Sequence, residues 1–173
     1  AGMELGMPLK PDQNFGVPAE SYGFANKTLA WETIAPLLER SSPLRTSHMR
    51  DPVGLQIQFA SEQFIDELAV ATGADPVEFR LKNLTSERDW AVVKAAADKS
   101  GWTASSRRRA KQSGSILKGR GIAYAQRGGT VLAVVAEIDV EPKTGRIWGR
   151  KFTVAHDCGL VVNPQALRHT IEG

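Results

Sequence analysis

Three neighbouring residues near the end of the chain, His156, Asp157 and Cys158, are of the types that serve as nucleophiles, general bases and metal ligands. A Cys–His nucleophile pair needs a thiol of lowered pKa and a third, orienting group. A zinc ion needs at least one or two further ligands, and the two other histidines of the chain lack the spacing of a zinc site. Because alternate side chains of a strand share a face, we expect His156 and Cys158 to point the same way. We favour a structural interpretation, in which Cys158 packs as a small apolar residue and Asp157 caps a turn at Gly159.

The carboxylates Glu62, Asp66 and Glu67 form a second group that could carry chemistry, as a general acid–base pair. They flank the apolar stripe of a predicted amphipathic helix, a place where solvated acids are normal. We therefore expect these side chains to face solvent.

The stretch from Met49 to Gln56 places Arg50, Pro52 and Gly54 directly ahead of a predicted helix. A tight loop that enters a helix N-terminus presents backbone N–H groups, and an arginine adds a fork of donors suited to anions. An ordinary helix entry explains the same residues equally well, so both interpretations stay open at this point.

Two further patterns favour structural explanations. The glycines at 119, 121, 128 and 129 lack the strand–turn–helix order of a phosphate-binding loop, and Gly128-Gly129 is typical of a hairpin bend. The basic residues at 107–109 and 111 have no interleaved aromatic residues, which favours a solvated loop over nucleic-acid binding.

The composition is that of an ordinary globular protein, with 173 residues, 42% hydrophobic and 24% charged, and a formal net charge of +3. No apolar run approaches the roughly 20 residues that span a bilayer. A single cysteine excludes a disulfide within the chain.

Helical periodicity and capping residues predict three helices in the first two thirds of the chain. The first covers 59–72, with Ala60, Phe64 and Leu68 on its apolar side, and ends at Gly73. The second, through about residue 83, follows the N-cap Asp75, and the third follows the N-cap Ser86 and ends at Gly101.

Strand-like sequences dominate the last third. They cover 121–125, 130–140 and 147–155, and the turn at 141–146 joins the last two into an antiparallel hairpin. Asn163-Pro164 then predicts the start of a further helix. The fold class is α+β, with helices followed by a small antiparallel β-hairpin sheet. We divide the chain into a loop-rich extended segment 1–50, a helical segment 51–112 and a β-hairpin segment 113–173. Because the last helix has barely two turns, we expect the chain to be a piece of something larger.

Seven short sequence motifs occur in order along the chain. They are SPLRT (42–46), MRDP (49–52), FASEQFIDELA (59–69), DPVEFRLKNL (75–84), GRGIA (119–123), VAEIDV (135–140) and DCGLVVNP (157–164). Together they resemble the molybdopterin-binding large subunit of the molybdenum hydroxylases, the xanthine dehydrogenase and aldehyde oxidase family. A single hairpin joins the motif at 119–123 to the motif at 157–164. This compact order is similar to that of the isoquinoline 1-oxidoreductase and membrane-bound aldehyde dehydrogenase branch.

The resemblance implies hydroxylation of an aldehyde or N-heterocycle with oxygen from water. It implies a molybdenum–molybdopterin cofactor in its cytosine dinucleotide form, a small subunit with two [2Fe-2S] clusters, and in some members a cytochrome c acceptor. Members are often periplasmic or membrane-associated, and a cytoplasmic location stays open. The family's general base is a glutamate that we expect beyond Gly173, so we expect the isolated chain to bind no cofactor and to be inactive.

The same resemblance assigns the candidate site. It gives Arg50, Val53 and Gly54 a cofactor-binding role and places Pro52 on the substrate side. Family members usually have Arg-Ser-Pro-Gly or Arg-Ala-Pro-Gly there, whereas this chain has Asp51 and Val53 at the second and fourth positions. A β-branched residue resists the positive φ that glycine permits, and proline at 52 cannot stack on a purine. The two departures keep an alternative open, a non-catalytic binding or assembly module that shares the family fold.

Overall fold

The computed structural model describes residues 21–28, 54–103 and 114–173. These residues form four helices and one three-stranded antiparallel sheet, the α+β class that the sequence predicts. The elements, in chain order, are α1 (Gly54–Ala71), α2 (Pro76–Asn83), α3 (Glu87–Ser100), β1 (Leu117–Arg127), β2 (Thr130–Glu141), β3 (Arg146–Asp157) and α4 (Pro164–Glu172). None of the helices in these three ranges is long and apolar enough to cross a membrane.

The caps of α2 and α3 are those the sequence predicts. The Asp75 side chain accepts hydrogen bonds from the N–H groups of Val77 and Glu78, and the Trp102 indole N–H donates to both of its oxygens at 3.1 Å. Ser86 caps α3, and Gly101 ends it in the left-handed conformation, with a φ of 66°. Local hydrogen bonds therefore fix both helix starts before any long-range packing is considered.

Helix α1 begins at Gly54, five residues before the predicted start at residue 59, and Gly73 follows it with a φ of 72°. Its buried residues are Glu62, Ile65 and Ala69. Phe64, predicted on the apolar side, is 58% exposed. The prediction of a solvated Glu62 is wrong, since this side chain lies in the interior at 7% exposure.

The sheet is a meander with the order β1-β2-β3. Gly128 and Gly129 turn the chain from β1 into β2 with φ values of 55° and 82°, so two positive φ angles in succession form the predicted hairpin bend. Between β2 and β3 the register slips once. Glu137 pairs with Lys151, but its neighbour Ile138 pairs with Gly149, which leaves Arg150 as an extra residue in a β-bulge.

The two faces of the sheet have different neighbours. On β2 the alternate residues Val131, Ala133 and Val135 are buried, and α3 packs on the sheet through its own buried residues Val93 and Ala96. The other β2 residues, among them Leu132, Val134 and Ala136, are only half-buried. The hydrophobic core lies between the helices and the first of these faces.

Residues 21–28 join this core from outside the helices. Tyr22 is 2% exposed and forms an isolated antiparallel bridge with Leu84, and the N–H of Gly23 donates to the carbonyl of Asn83 at 2.8 Å. The Tyr22 ring contacts those of Phe24 and Tyr124. From its sequence, this part of the chain is also predicted to form a short strand with its turn, over 22–26 and 29–31, and residues 29–31 lie outside the described residues.

Candidate functional site

The predicted cofactor-binding loop leads into the first turn of α1. Arg50, Pro52 and Val53, and with them the basic stretch at 107–111, lie outside the described residues. Gly54 is the first residue of α1 and is partly exposed.

The first turn of α1 differs in charge from those of the two helices that follow it. It contains no acidic residue, whereas α2 has Glu78 and α3 has Glu87 and Asp89 in their first turns. The residue before it in the sequence, Val53, has no side-chain acceptor with which to cap a helix. The positive end of the α1 dipole is therefore not offset by a carboxylate of its own first turn, which is the electrostatic condition for attracting an anion.

Behind that turn lies a buried network centred on Glu62. Its Oε1 accepts the Tyr22 hydroxyl at 2.8 Å, and its Oε2 accepts the Arg80 Nε at 3.0 Å and the backbone N–H of Tyr124 at 2.8 Å. Arg80 is 0% exposed and donates a further bond of 2.7 Å to Asp66. Two of the three acids predicted to be solvated, Glu62 and Asp66, thus neutralise the one fully buried guanidinium among the described residues, whereas Glu67 is exposed as predicted.

The network shifts the ionisation of its own members. Burial raises the pKa of the Tyr22 hydroxyl, and the neighbouring Glu62 carboxylate raises it further. Burial by itself would lower the pKa of Arg80, but Glu62, Tyr22 and Asp66 outweigh it and the pKa is raised. Both shifts favour the same state, a neutral phenol beside a charged guanidinium.

The His-Asp-Cys stretch forms a turn at the end of β3. Asp157 is the last strand residue, and its Oδ1 accepts the N–H of Gly159 at 2.8 Å, as the sequence predicts. Arg88 of α3 donates from Nε to Asp157 Oδ2 at 2.6 Å and from a terminal nitrogen to Oδ1 at 2.7 Å. These hydrogen bonds from Arg88, together with the one from Gly159, hold the pKa of Asp157 well below its usual range.

The expectation that His156 and Cys158 share a strand face is wrong, because β3 ends at Asp157 and Cys158 lies in the turn. Cys158 is a free, half-buried thiol. The Nδ1 atom of His156 is buried and has no hydrogen-bond partner among the residues that the structure describes. His156 lines a groove of about 570 Å³ between β3 and α4, with apolar walls that include Phe152 and Leu167.

Direct ligation of a metal ion requires several donor side chains that converge on one point. Within 21–28, 54–103 and 114–173, no group of three or more His, Cys, Asp or Glu side chains could hold a metal ion. The start of α1, whose first turn contains no acidic residue, is suited electrostatically to an anionic group rather than to direct ligation of a metal ion.

Residues 53–173 match the family model of the molybdopterin cofactor-binding domain, and the chain belongs to this family. The B subunit of nicotinate dehydrogenase from Pseudomonas putida is 38% identical over 153 residues, which cover 83% of this chain and 13% of the relative. The beta subunit of isoquinoline 1-oxidoreductase from Brevundimonas diminuta is 33% identical over 149 residues, covering 84% of this chain and 18% of the relative. The chain thus spans less than a fifth of the length of either relative. No solved structure gives a significant match.

Sequence reasoning missed the Glu62–Arg80 network, although one indication of it was present. Glu62, Ile65 and Ala69 are spaced three and four residues apart, so they lie on one helix face. This spacing predicts that Glu62 is buried with the two apolar residues, whereas the charge of its side chain favours solvent exposure. Nothing local to Arg80 distinguishes it from a surface arginine, because its partners lie 14 and 18 residues away.

Proposed function

We propose that this chain is part of a molybdenum hydroxylase large subunit, and that the start of its helix α1 faces the cofactor. The observation that carries the proposal is the family match over 53–173, which begins one residue before α1. The acid-free first turn of α1 supports it, since no carboxylate within that turn offsets the positive end of the helix dipole.

In this proposal Arg50 and Gly54 bind the anionic part of the cofactor. The guanidinium of Arg50 supplies a planar fork of donors, and Gly54 lies at the positive end of the helix dipole. Val53 lines the same contact with its backbone, and Pro52 faces the substrate. When bound, the molybdenum–molybdopterin group supplies the transfer of oxygen and electrons, while the protein orients it and excludes water.

The family also supports a proposal for the substrate and partners of the full-length protein. We propose an aldehyde or an N-heterocycle as the substrate, with oxygen drawn from water. The two relatives are each named as one subunit of an enzyme, so further subunits belong to their enzymes. We propose a small subunit with two [2Fe-2S] clusters as the first electron acceptor, a cytochrome c beyond it, and the cytosine dinucleotide form of the cofactor.

Residues 1–173 by themselves are proposed to be inactive. The general base of the family, a glutamate, is expected beyond Gly173. Molybdenum-dependent turnover by these residues alone would contradict this part of the proposal.

Molybdenum content tests the proposal. The full-length protein is purified from its own host, and metal per polypeptide is measured for the wild type, for Arg50→Gln and for the control Arg146→Gln, which removes an exposed arginine at the start of β3. We expect near-stoichiometric metal in the wild type and the control and a several-fold loss in Arg50→Gln. Equal metal in all three would overturn the role of Arg50.

The departures at Asp51 and Val53 favour a second candidate, a non-catalytic binding or assembly module. A carboxylate beside a phosphate is repulsive, and valine resists the backbone conformation that glycine adopts. A wild-type protein without molybdenum, from a host whose other molybdoenzymes are loaded, would support this candidate and overturn the first.

A further inference from the structure

The sheet has a second face, opposite the one on which α3 packs, and we call it the open face. On β2 it consists of Leu132, Val134, Ala136, Ile138 and Val140. None of these residues is buried, whereas their neighbours on the α3 side, at 131, 133 and 135, are. A sheet with one face in solvent alternates apolar and polar residues along its strands. From 131 to 136 β2 contains apolar residues only, the pattern of a strand that is covered on both faces.

The part of the open face that β1 supplies is made of small residues. Residues directly opposite each other in an antiparallel pair project from the same face of a sheet. The β1 partners of residues 132–138 on this face are Ala125, Ala123, Gly121 and Gly119. Gly121 and Ala123 are exposed, and a Cβ added at Gly121 would meet nothing within 4 Å. Another element can therefore lie close to the backbone of β1.

The part that β3 supplies reaches the groove beside α4. The β3 partners are Ile147, Gly149, Phe152, Val154 and His156, and His156 alone among them has a polar side chain. Ile147 is 65% exposed and Phe152 is 62% exposed. The last three of these residues line the groove together with Leu167 and Ile171 of α4. Helix α4 thus borders the open face without burying any residue of its own.

The open face is large for an uncharged surface. Its residues extend over about nine positions of each strand, or about 30 Å, and the three strands together are about 14 Å wide. The apolar area is thus on the order of 400 Å² in projection. Arg127 and Thr130 bound it at the hairpin end. A contiguous apolar surface of this size is typical of a contact site.

The absence of charge on the open face indicates what covers it. Interfaces between separately folded subunits include a polar rim and are about as polar as the rest of the surface, whereas an uncharged surface is typical of the interior of one domain. Residues 1–173 span 13% and 18% of the two relatives, so most of a subunit of that kind lies outside them. The full-length chain therefore has ample length to supply a covering layer.

We propose that the open face packs against a further layer of the same large subunit, formed by a segment outside residues 1–173 whose contacting side chains are apolar and uncharged. The sheet is then the middle one of three layers, between α3 and that segment. The inference goes beyond the proposed function and does not depend on the cofactor.

Thiol labelling tests whether the open face is covered. The full-length protein, in its native complex, carries Ala123→Cys on the open face or the control Lys143→Cys in the β2–β3 turn, and both positions are exposed in the structure. The rate of reaction with iodoacetamide is located by peptide mass spectrometry and divided by the rate in denaturant. We expect Ala123→Cys to react at least about a hundred-fold more slowly than the control, because a covered thiol reacts only after local opening. Equal rates would overturn the proposal.

Photo-cross-linking identifies what covers the face. Wild-type protein is produced with photo-leucine, which keeps the size of leucine, and Leu132 lies on the open face. This measurement needs no substitution, so the test holds if Ala123→Cys does not fold. We expect Leu132 to be joined to a peptide of the large subunit outside residues 1–173, in a species with the mass of one chain.

Four other cross-linking results would overturn the proposal. They are products of Leu132 that lie only within residues 1–173, or that join it to a second copy, to another subunit or to lipid. Molybdenum content enters neither measurement, so failure of the proposed function would be seen separately, as an absence of metal in the wild type.

Discussion

Arg88 and Asp157, 69 residues apart in sequence, form a two-pronged ion pair with distances of 2.6 and 2.7 Å. A third bond of 3.0 Å runs from Arg88 to the backbone carbonyl of Asp157. The pair ties the first turn of α3 to the end of β3. It therefore fixes the turn through Cys158 and Gly159, from which the chain continues to α4.

The Arg88–Asp157 ion pair makes the free energy of unfolding depend on pH in the acid range. The pKa of Asp157 is lowered in the folded state, so its contribution is complete above the ordinary aspartate pKa of about 4 and is lost as the pH falls below it. We expect Asp157→Asn to flatten the fall of unfolding free energy between about pH 4 and pH 2. Urea unfolding at several pH values measures this slope, and Asp139→Asn, which removes an exposed pair with Arg150, is the control.

The buried network predicts a large loss of stability on truncation. Arg80→Met leaves Glu62 without its main cation, and breaking a buried pair costs about 3–5 kcal/mol. The control Lys94→Met breaks an i,i+4 pair whose side chains are 43% and 63% exposed, with an expected loss of about 0.5 kcal/mol. Chemical denaturation followed by circular dichroism gives both values. A loss below about 1 kcal/mol for Arg80→Met would contradict the structure.

The chain has two tyrosines, and both have a raised pKa. Burial is the main cause for each, followed by Glu62 for Tyr22 and by the hydrogen bond to Asp89 for Tyr124. We expect no phenolate absorbance from the folded protein at pH 11, where the unfolded chain is mostly ionised. The contribution of the two tyrosines to the free energy of unfolding is constant below about pH 10 and falls above it, because only the unfolded state then loses their protons.

Ultraviolet titration at alkaline pH, with and without denaturant, measures these two tyrosines directly. Tyr22→Phe and Tyr124→Phe assign the signal to each ring. An ordinary titration near pH 10 in the folded state would show that the hydroxyl of Tyr22 is not buried against Glu62.

Alanine substitutions at two glycines with open surroundings measure the cost of backbone strain without a contribution from steric crowding. A Cβ added at Gly101 or at Gly121 meets nothing within 4 Å, but Gly101 has a φ of 66° whereas Gly121 lies within β1. Gly101→Ala is expected to cost about 1–2 kcal/mol from left-handed strain. Gly121→Ala is expected to be neutral or to stabilise by up to about 1 kcal/mol, because it restricts the unfolded chain. Thermal unfolding of both variants measures whether the two changes in the free energy of unfolding differ in sign.

The parts of the fold that the sequence predicts correctly are those set by neighbours in the chain. Asp75, Ser86 and Asn163 each cap a helix through N–H groups two or three residues further on. The Gly128-Gly129 bend follows in the same way from two residues that tolerate positive φ. Such short-range hydrogen bonds are encoded locally, so they can be inferred without the tertiary structure.

The errors concern side chains whose partners are distant. Glu62 has bonds to residues 18, 40 and 62 positions away, and these offset the cost of burying its charge. Phe64 has an apolar side chain at helical spacing, but it lines an open groove together with Phe24 and Leu68 and stays exposed. Of the candidate site, Gly54 alone falls within the described residues. The cofactor-binding roles of Arg50, Val53 and Gly54 and the substrate-side role of Pro52 remain predictions.

The bulge at Arg150 has a consequence for how homologous sequences are aligned. Ile147 and Phe152 are an odd number of residues apart, yet they lie opposite Val140 and Ala136, which share a face of β2. Removing Arg150 would restore a regular ladder without changing either pairing, at the expense of its ion pair with Asp139. A one-residue gap in β3 therefore belongs at this position. Evolution can shorten or lengthen the strand there by one residue while every other side chain keeps its face.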